Sequence, residues 1–448
     1  MRAAIVALAA SSALFCLPSP VRGAEGVPCD FYGIDPGAPV EGGDVILDAG
    51  YAEQLARAGA GAVRVEFRLD GAEAWGEEKL AEYDAIVDAV RGAGLVPLGL
   101  LSHRAARGGQ SDWNDDQDED GNNAYVEEFT GAAQALMTRF AGRVVRWEIW
   151  SQPNCAARAD YADDPLNAGC TYVLPRVLAR ILAQIRTGNE ALFNVDALSL
   201  TTGGLLAVDD AAGSSTGLDY LSELYAQPAW DDLEARYGRR YPWEHLGVQP
   251  FIHQEGAVDP LVLDGYLDEV RELAEENGDR SDLVITGMAW ASAFAGEEVQ
   301  AANLQTSFDA VAAREDVAGV VWARYRDDPR EQRYDGLVGE NGVPKRSLTA
   351  FGEAAAGCEG GGGDAGAGGG GGGTGGSSSS GGSIPVPSTP GVGVNGRPIS
   401  GQERESACSY AAGAIHDTRG PSGVGWIALI AAAVSALARS SARARRVS

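Results

Sequence analysis

The sequence predicts an α/β protein, a (β/α)8 TIM barrel followed by a disordered Gly/Ser-rich tether and a short C-terminal apolar helix. Three observations predict it. Eight short apolar runs, each suited to a buried parallel strand, recur between residues 31 and 325. Helix-period apolar patterns separate them, and eight strand–helix units are the number that closes such a barrel. The stretch that carries them, residues 24–358, is long for one ordinary domain and typical in length for a barrel of this kind.

In order, the runs are FYGI (31–34), AVRVEF (62–67), LVPLGLL (95–101), VVRWEIW (144–150), ALSLTT (197–202), HLGVQPF (245–251), LVITGMAW (283–290) and VAGVVWARY (317–325). Between them Leu80, Tyr83, Val87 and Val90 recur at helical spacing. So do Phe129, Ala133, Leu136 and Phe140, then Leu178, Ile181, Leu182 and Ile185, and later Leu263, Tyr266, Val270 and Leu273. Asn277-Gly278 reads as the C-cap of the last of these. No glycine-rich phosphate loop follows the first run, which argues against a doubly wound open sheet. Barrel sites form at the carboxyl ends of the strands, so those ends are where function is sought.

The two ends of the chain differ from the middle. Residues 1–23 have an early arginine, an apolar run from Ala3 to Leu17 and then Pro-Ser-Pro-Val-Arg-Gly. That is the pattern of a secretory signal peptide, with Val21 and Gly23 at the −3 and −1 sites. Phe15 before Cys16 is too bulky for a lipoprotein cleavage box. Export to the cell surface, outer envelope or extracellular space is therefore expected. Residues 359–405 are rich in Gly, Ser and Pro and bury too little apolar surface to offset their ordering entropy, so they read as a flexible linker. Residues 406–448 hold Cys408, an apolar run over 424–438 and a basic end. That run is shorter than the about 20 residues that usually span a bilayer. It reads either as a weak transmembrane or interfacial helix or as a sorting signal. Cysteine, short apolar helix and arginine cluster in that order resemble the myxobacterial-type C-terminal sorting tag. The resemblance implies removal of the helix and basic end, with the Cys408 region kept at the surface.

Setting aside Cys16 and Cys408, four cysteines remain, and four allow three pairings. Cys155–Cys170, closing one loop, and Cys29–Cys358, joining the two ends of the domain, are the expected pairs. A formal charge of −28 argues against nucleic acid or an anionic membrane surface as a partner of the folded part. Contact with a membrane or cell envelope is expected through the C-terminal segment only.

The motifs AGAGAVRVEFRLDG, YDAIVDAVRGAGLVPLGLLSH and RFAGRVVRWEIWSQPN resemble the first half of a clan A glycoside hydrolase, with families 39 and 5 nearest. LGVQPF, LVITGMAW, GVVWARY and GLVGENGVPKRSLTAF fall where that clan has its sixth to eighth strands and closing helix. The resemblance covers roughly residues 30–356. It implies two glutamates about 5 Å apart, an acid/base after Trp-Asn on the fourth strand and a nucleophile in Ile-Thr-Glu on the seventh. Here the acid position is Gln152, the preceding asparagine is Ser151 and the nucleophile position is Gly287. The usual His-x-Tyr of the sixth strand is Gln249-Pro250-Phe251. Glutamine has no proton to transfer and glycine has no side chain. The resemblance thus implies a catalytically inactive barrel that keeps a sugar-shaped groove, with carbohydrate or a cell-surface glycan as partner and no required cofactor. The alternatives are a divergent active glycosidase and a structural surface protein without ligand.

Among remaining carboxylates, Glu66 near the end of the second run is the candidate substitute catalytic group. Glu148 reads as a buried partner of Arg64 or Arg146, and Glu255 and Asp327 as solvated loop charges. Trp150, Trp290 and Trp322 lie at strand ends, where they are either sugar-stacking faces or barrel core; the clan resemblance implies a sugar platform at Trp322. Arg64, His103, Gln152, Asn154 and Gln249 are candidates for hydrogen bonds to sugar hydroxyls.

The loop DQDEDGNNAYVE (116–127) matches a calcium-loop pattern, with Asp116, Asp118, Asp120, Asn122 and Glu127 as candidate ligands and Gly121 at the turn. A structural calcium there would brace the rim. Asn123 stands where an aliphatic residue is usual and no helix enters the loop, so a solvated acidic loop is the alternative.

Overall fold

The computed structural model describes residues 27–358 apart from 73, 156–170, 196–197, 209–216, 253–255 and 332. The signal peptide, the linker 359–405, the C-terminal segment with its 424–438 run, Cys170, Cys408 and Glu255 lie outside the described residues.

Eight parallel strands close into a barrel: β1 Tyr32–Ile34, β2 Ala62–Glu66, β3 Val96–Leu101, β4 Arg146–Ile149, β5 Ser199–Thr202, β6 His245–Phe251, β7 Asp282–Met288 and β8 Val317–Trp322. Every neighbouring pair is parallel. Closure comes where β1 pairs with β8, Tyr32 opposite Val320. Each apolar run foreseen in the sequence contains one of these strands, apart from Asp282 at the start of β7, and the open-sheet alternative is excluded by the closed ring. A short strand, Leu205–Val208, adds parallel to the carboxyl half of β6 and was not foreseen. The turn before it, Gly203-Gly204, needs glycine: a Cβ on Gly204 would run into Thr286 Oγ1 and Gln249 Cγ.

The helices that cover the barrel are α1 Ala49–Arg57, α2 Glu77–Gly92, α3 Ala124–Arg139, α4 Pro175–Gly188, α5 Gly217–Tyr225, α6 Ala229–Tyr237, α7 Pro260–Glu276, α8 Glu297–Ala312 and α9 Arg346–Ala355. Their inner faces match the periodic residues: Tyr83, Val87 and Val90 of α2 and Leu178, Ile181, Leu182 and Ile185 of α4 are buried. Side chains satisfy the free amides of their first turns. Asp48 accepts from Tyr51 N at 2.8 Å for α1, and Asn123 from Val126 N at 2.8 Å for α3. Gly278 follows the Asn277 cap of α7 at φ 74°, the left-handed conformation that ends a helix.

Cys29 and Cys358 form a disulfide across a sequence separation of 329, fastening the start of the barrel to its end as expected. Cys155 is also disulfide-bonded, to a partner outside the described residues. No helix among the described residues is long and apolar enough to cross a membrane.

Candidate functional site

The carboxyl end of β4 carries two non-glycine residues in the left-handed region, Trp150 at φ 76° and Gln152 at φ 51°. Such conformations cost on the order of 1–3 kcal/mol each and persist only where the surroundings enforce them. Several bonds do so. Trp150 N donates to Leu101 O at 2.8 Å, and Thr171 Oγ1 donates to Ser151 O at 2.6 Å. Asn154, fully buried, exchanges two hydrogen bonds with the Leu206 backbone at 2.9 and 2.8 Å. The strained turn thus sends Trp150 outward and Gln152 inward.

Inside the barrel mouth a row of polar groups runs from wall to wall. Gln152 Nε2 donates to Gln249 Oε1 at 2.8 Å, and Gln249 Nε2 donates to Thr286 Oγ1 at 3.1 Å. Thr286 in turn hydrogen-bonds Glu148. Glu148 takes a fork from Arg64, Nε to Oε2 at 2.7 Å and Nη2 to Oε1 at 3.0 Å, and a third bond from Gly204 N at 3.2 Å. Arg64 Nη1 reaches Asp35 Oδ2 at 2.8 Å on β1, and Nη2 contacts Ser151 Oγ at 3.2 Å. Burial works against the Arg64 charge, but Glu148 and Asp35 outweigh it and push its pKa up. Seven side chains from five strands or strand ends therefore form one connected network.

The two positions where the sequence resemblance places catalytic glutamates both touch this row. Gln152 is a member of it. Gly287 lies beside it, and a Cβ there would sit 3.2 Å from Gln249 Cδ. Gln249, only 2 % exposed, thus occupies the space next to the nucleophile position. The carboxylates of Asp35 and Glu148 share the Arg64 guanidinium, one positive charge between two acids. Glu148 is the buried arginine partner foreseen, with Arg64 rather than Arg146, whose guanidinium pairs with Asp30 at 2.9 Å.

Glu66, the candidate substitute, stands apart from that row. It accepts a hydrogen bond from Ser102 Oγ at 2.5 Å and faces Arg68 Nη1 at 3.6 Å. Burial would raise its pKa, but Arg68, Arg104 and the Ser102 bond win and hold it below the usual glutamate value. It is therefore an ionised carboxylate, the wrong state for a proton donor. His103 lies half-buried nearby, its pKa lowered to about 4 by burial and by the charges of Arg104 and Arg68, against the opposing pull of Glu66.

The three tryptophans are fully buried. Their indole N–H groups donate to backbone oxygens, Trp150 to Thr171 at 2.6 Å, Trp290 to Ile252 at 2.9 Å and Trp322 to Asp335 at 3.0 Å. Trp150 packs among Trp113, Tyr125 and Phe129, and Trp290 against Trp322. Stacking on a sugar needs an open ring face, and the core placement leaves none of the three with one. Asp327 also departs from expectation. It is not a solvated loop charge: its side chain is 9 % exposed and accepts from Lys345 Nζ at 2.6 Å and from Gly336 N at 2.9 Å.

In the loop 116–127, Asp116 Oδ2 is taken by Arg176 Nε of α4, and Asp116 Oδ1 accepts from Gly121 N at 3.0 Å. Arg180 Nη2 donates to Asp120 O at 2.8 Å, Asn122 Oδ1 accepts from Gln184 Nε2 at 3.0 Å, and Asn122 Nδ2 reaches Glu127 Oε1 at 3.5 Å. Asp118 and Asp120 are exposed. No group of three or more His, Cys, Asp or Glu side chains among the described residues is arranged to hold a metal ion. An arginine supplies the positive charge to which Asp116 turns.

Asp35, Ser102, Thr286, Arg68 and Arg104 were not singled out from the sequence. Asp35, Arg68, Ser102 and Arg104 each lie within two or three residues past a strand end, and that position is the signal that could have found them.

No sequence-family profile matches the chain, and no curated protein sequence matches it. Solved structures do. A family 39 glycoside hydrolase from the gut symbiont Bacteroides cellulosilyticus WH2 matches with a TM-score of 0.50 at 18% identity over 76% of this chain. The chain spans 65% of that protein's length. The protein ZgEngAGH5_4 matches with a TM-score of 0.51 at 14% identity, covering 73% of this chain and 96% of its own. A family 1 β-glucosidase from Thermotoga maritima matches with a TM-score of 0.50 at 12% identity, covering 73% and 98%. In fold, the neighbours of this barrel are clan A glycoside hydrolases of families 39, 5 and 1.

Proposed function

We propose that this protein is an exported, surface-tethered barrel that binds carbohydrate, or serves as a scaffold, without hydrolysing glycosides. The observation that carries the reading is the Gln152–Gln249–Thr286 chain lying beside Gly287. Retaining hydrolysis needs one carboxyl group to donate a proton and a second to attack the sugar carbon. An amide does neither at any working pH, and Gln249 stands in the space beside the nucleophile position. Amide groups exchange hydrogen bonds with sugar hydroxyls, and Gln152, partly exposed, is suited to contact a sugar, whereas Gln249 is buried with both ends of its amide bonded.

Export and tethering rest on the signal-peptide pattern of residues 1–23 and on Cys408, the apolar run and the basic end. The test is a glycan-array screen run beside a hydrolysis assay on the same protein. Retention of one or more glycans with no turnover is expected. Turnover that survives Gln152→Ala and vanishes in Glu66→Gln would overturn the reading in favour of a divergent glycosidase. A second reading, a structural surface protein without ligand, is favoured by the burial of Trp150, Trp290 and Trp322. An array with no retained glycan would select it.

A further inference from the structure

At the carboxyl ends of β2 and β3 two loops are joined by Leu69 N donating to Arg104 O at 2.9 Å. They bring Arg68, His103 and Arg104 to one corner of the barrel mouth. Arg68 is loosely held there: Nη2 meets Asp70 Oδ1 at 3.3 Å, Nη1 lies 3.6 Å from Glu66 Oε2, and Nε is buried without a hydrogen-bond partner. The Arg104 guanidinium, partly exposed, makes no ion pair or hydrogen bond among the described residues, although its charge acts on both Glu66 and His103. The chain has 63 acidic and 35 basic side chains, so an arginine without a carboxylate is not explained by scarcity of partners.

We propose that this corner is a subsite for the anionic group of an acidic glycan, a carboxylate or a sulfate, bound by Arg104 and Arg68. The inference rests on the carbohydrate-binding reading and deepens it by naming the ligand class. Guanidinium groups match carboxylate and sulfate oxygens with paired hydrogen bonds, and such charge-assisted bonds are roughly twice as strong as neutral ones. Arg68 and Arg104 balance Glu66 and Asp70 in charge, so the corner is locally neutral in a chain of net charge −28 and does not itself repel an anion. Ser102 Oγ takes Glu66 Oε1 at 2.5 Å, and Glu66 Oε2 faces Arg68 Nη1 at 3.6 Å, beyond hydrogen-bond reach, so the Arg68 guanidinium keeps donors for a ligand. The His103 imidazole, neutral above about pH 4, makes no ring hydrogen bond among the described residues and is available to a sugar hydroxyl beside the anion.

The experiment is affinity electrophoresis and calorimetry of the full chain against three probes: polygalacturonate, dextran sulfate and neutral dextran. The wild type is expected to bind an acidic polymer at least about tenfold more tightly than dextran, and whichever acidic polymer it prefers identifies the anion. Arg104→Gln, which breaks no ion pair, should lose about tenfold on that polymer with an unchanged melting temperature. Arg68→Gln should lose more. Equal binding by Arg104→Gln and wild type would overturn the inference, as would failure of the wild type to bind either acidic polymer. In that last case retention of neutral glycans on the array leaves the carbohydrate-binding reading standing, and retention of none removes both.

Discussion

Gln152 Nε2 and Gln249 Oε1 meet at 2.8 Å, tying the end of β4 to β6 across the barrel mouth. The contact fixes both amides: the other end of Gln249 is spent on Thr286 Oγ1. Gln249 is buried and each end of its amide has a partner, so the pair is a fixed part of the barrel mouth.

Placing one carboxylate at either position should therefore not confer hydrolysis. Gln152→Glu puts a carboxylate against Gln249 Oε1, where an N–H now stands, so the Gln249 amide must turn over, and Thr286 can then bond it only by donating its one O–H, at the expense of Glu148. Gly287→Glu brings its Cβ to 3.2 Å from Gln249 Cδ, forcing that side chain aside. Each single variant is expected to show no turnover of aryl glycosides. Turnover by Gln152→Glu alone would mean that a nucleophile other than position 287 is in place.

Breaking the buried ion pair should be costly. Arg64→Leu leaves Glu148, 7 % exposed, without its counter-charge, and such losses run to about 3–5 kcal/mol. Urea unfolding of wild type and variant measures it. A loss below about 1 kcal/mol would show that Thr286 and Gly204 alone can carry the Glu148 charge.

His103 supplies a pH dependence. Its folded pKa of about 4 lies below the unfolded value of 6.5, so the folded state resists protonation. Stability from this group is present above pH 6.5 and is lost as pH falls from there through about 4. His103→Gln should flatten that part of the stability curve, and NMR titration should place the wild-type imidazole near 4. A value near 6.5 would show an imidazole fully open to water.

The disulfide ends a chain segment of 329 residues, and cross-links over long segments typically add about 2–4 kcal/mol. Replacing Cys29 and Cys358 together by serine should lower the denaturant midpoint accordingly. The barrel should still close, since its strand pairing does not involve either cysteine.

The acidic loop should be indifferent to calcium. Arg176 already faces Asp116, so adding calcium or a chelator is expected to leave the melting temperature unchanged. A rise of several degrees with calcium would mean that the ion displaces Arg176 and gathers Asp118, Asp120 and Glu127.

Much of this molecule is legible in the one-dimensional pattern. Strands buried on both faces read as continuous apolar runs and helix faces repeat at a period of 3.6, and both follow from local backbone geometry and burial, so β6 was placed at its observed limits and the α4 face residue by residue. The residues at the positions that the clan resemblance singles out, Gln152 and Gly287, are equally plain, since residue identity needs no coordinates. Partnerships between distant residues were less legible. Arg64 and Glu148 are 84 positions apart, and the sequence offered Arg64 or Arg146 as the partner of Glu148 without deciding between them.

The sequence by itself determined an eight-stranded barrel and the identities Gln152 and Gly287, because these follow from local periodicity and residue type, and it left Cys29–Cys358 as one expected pairing among three possible connectivities. Tertiary structure alone decided that Trp150, Trp290 and Trp322 are core, that Asp116 turns to Arg176, that Asp327 is buried on Lys345, and that Gln249 stands beside Gly287. Those outcomes depend on left-handed turns at strand ends and on which neighbour reaches a charge first in three dimensions. Chain order records neither.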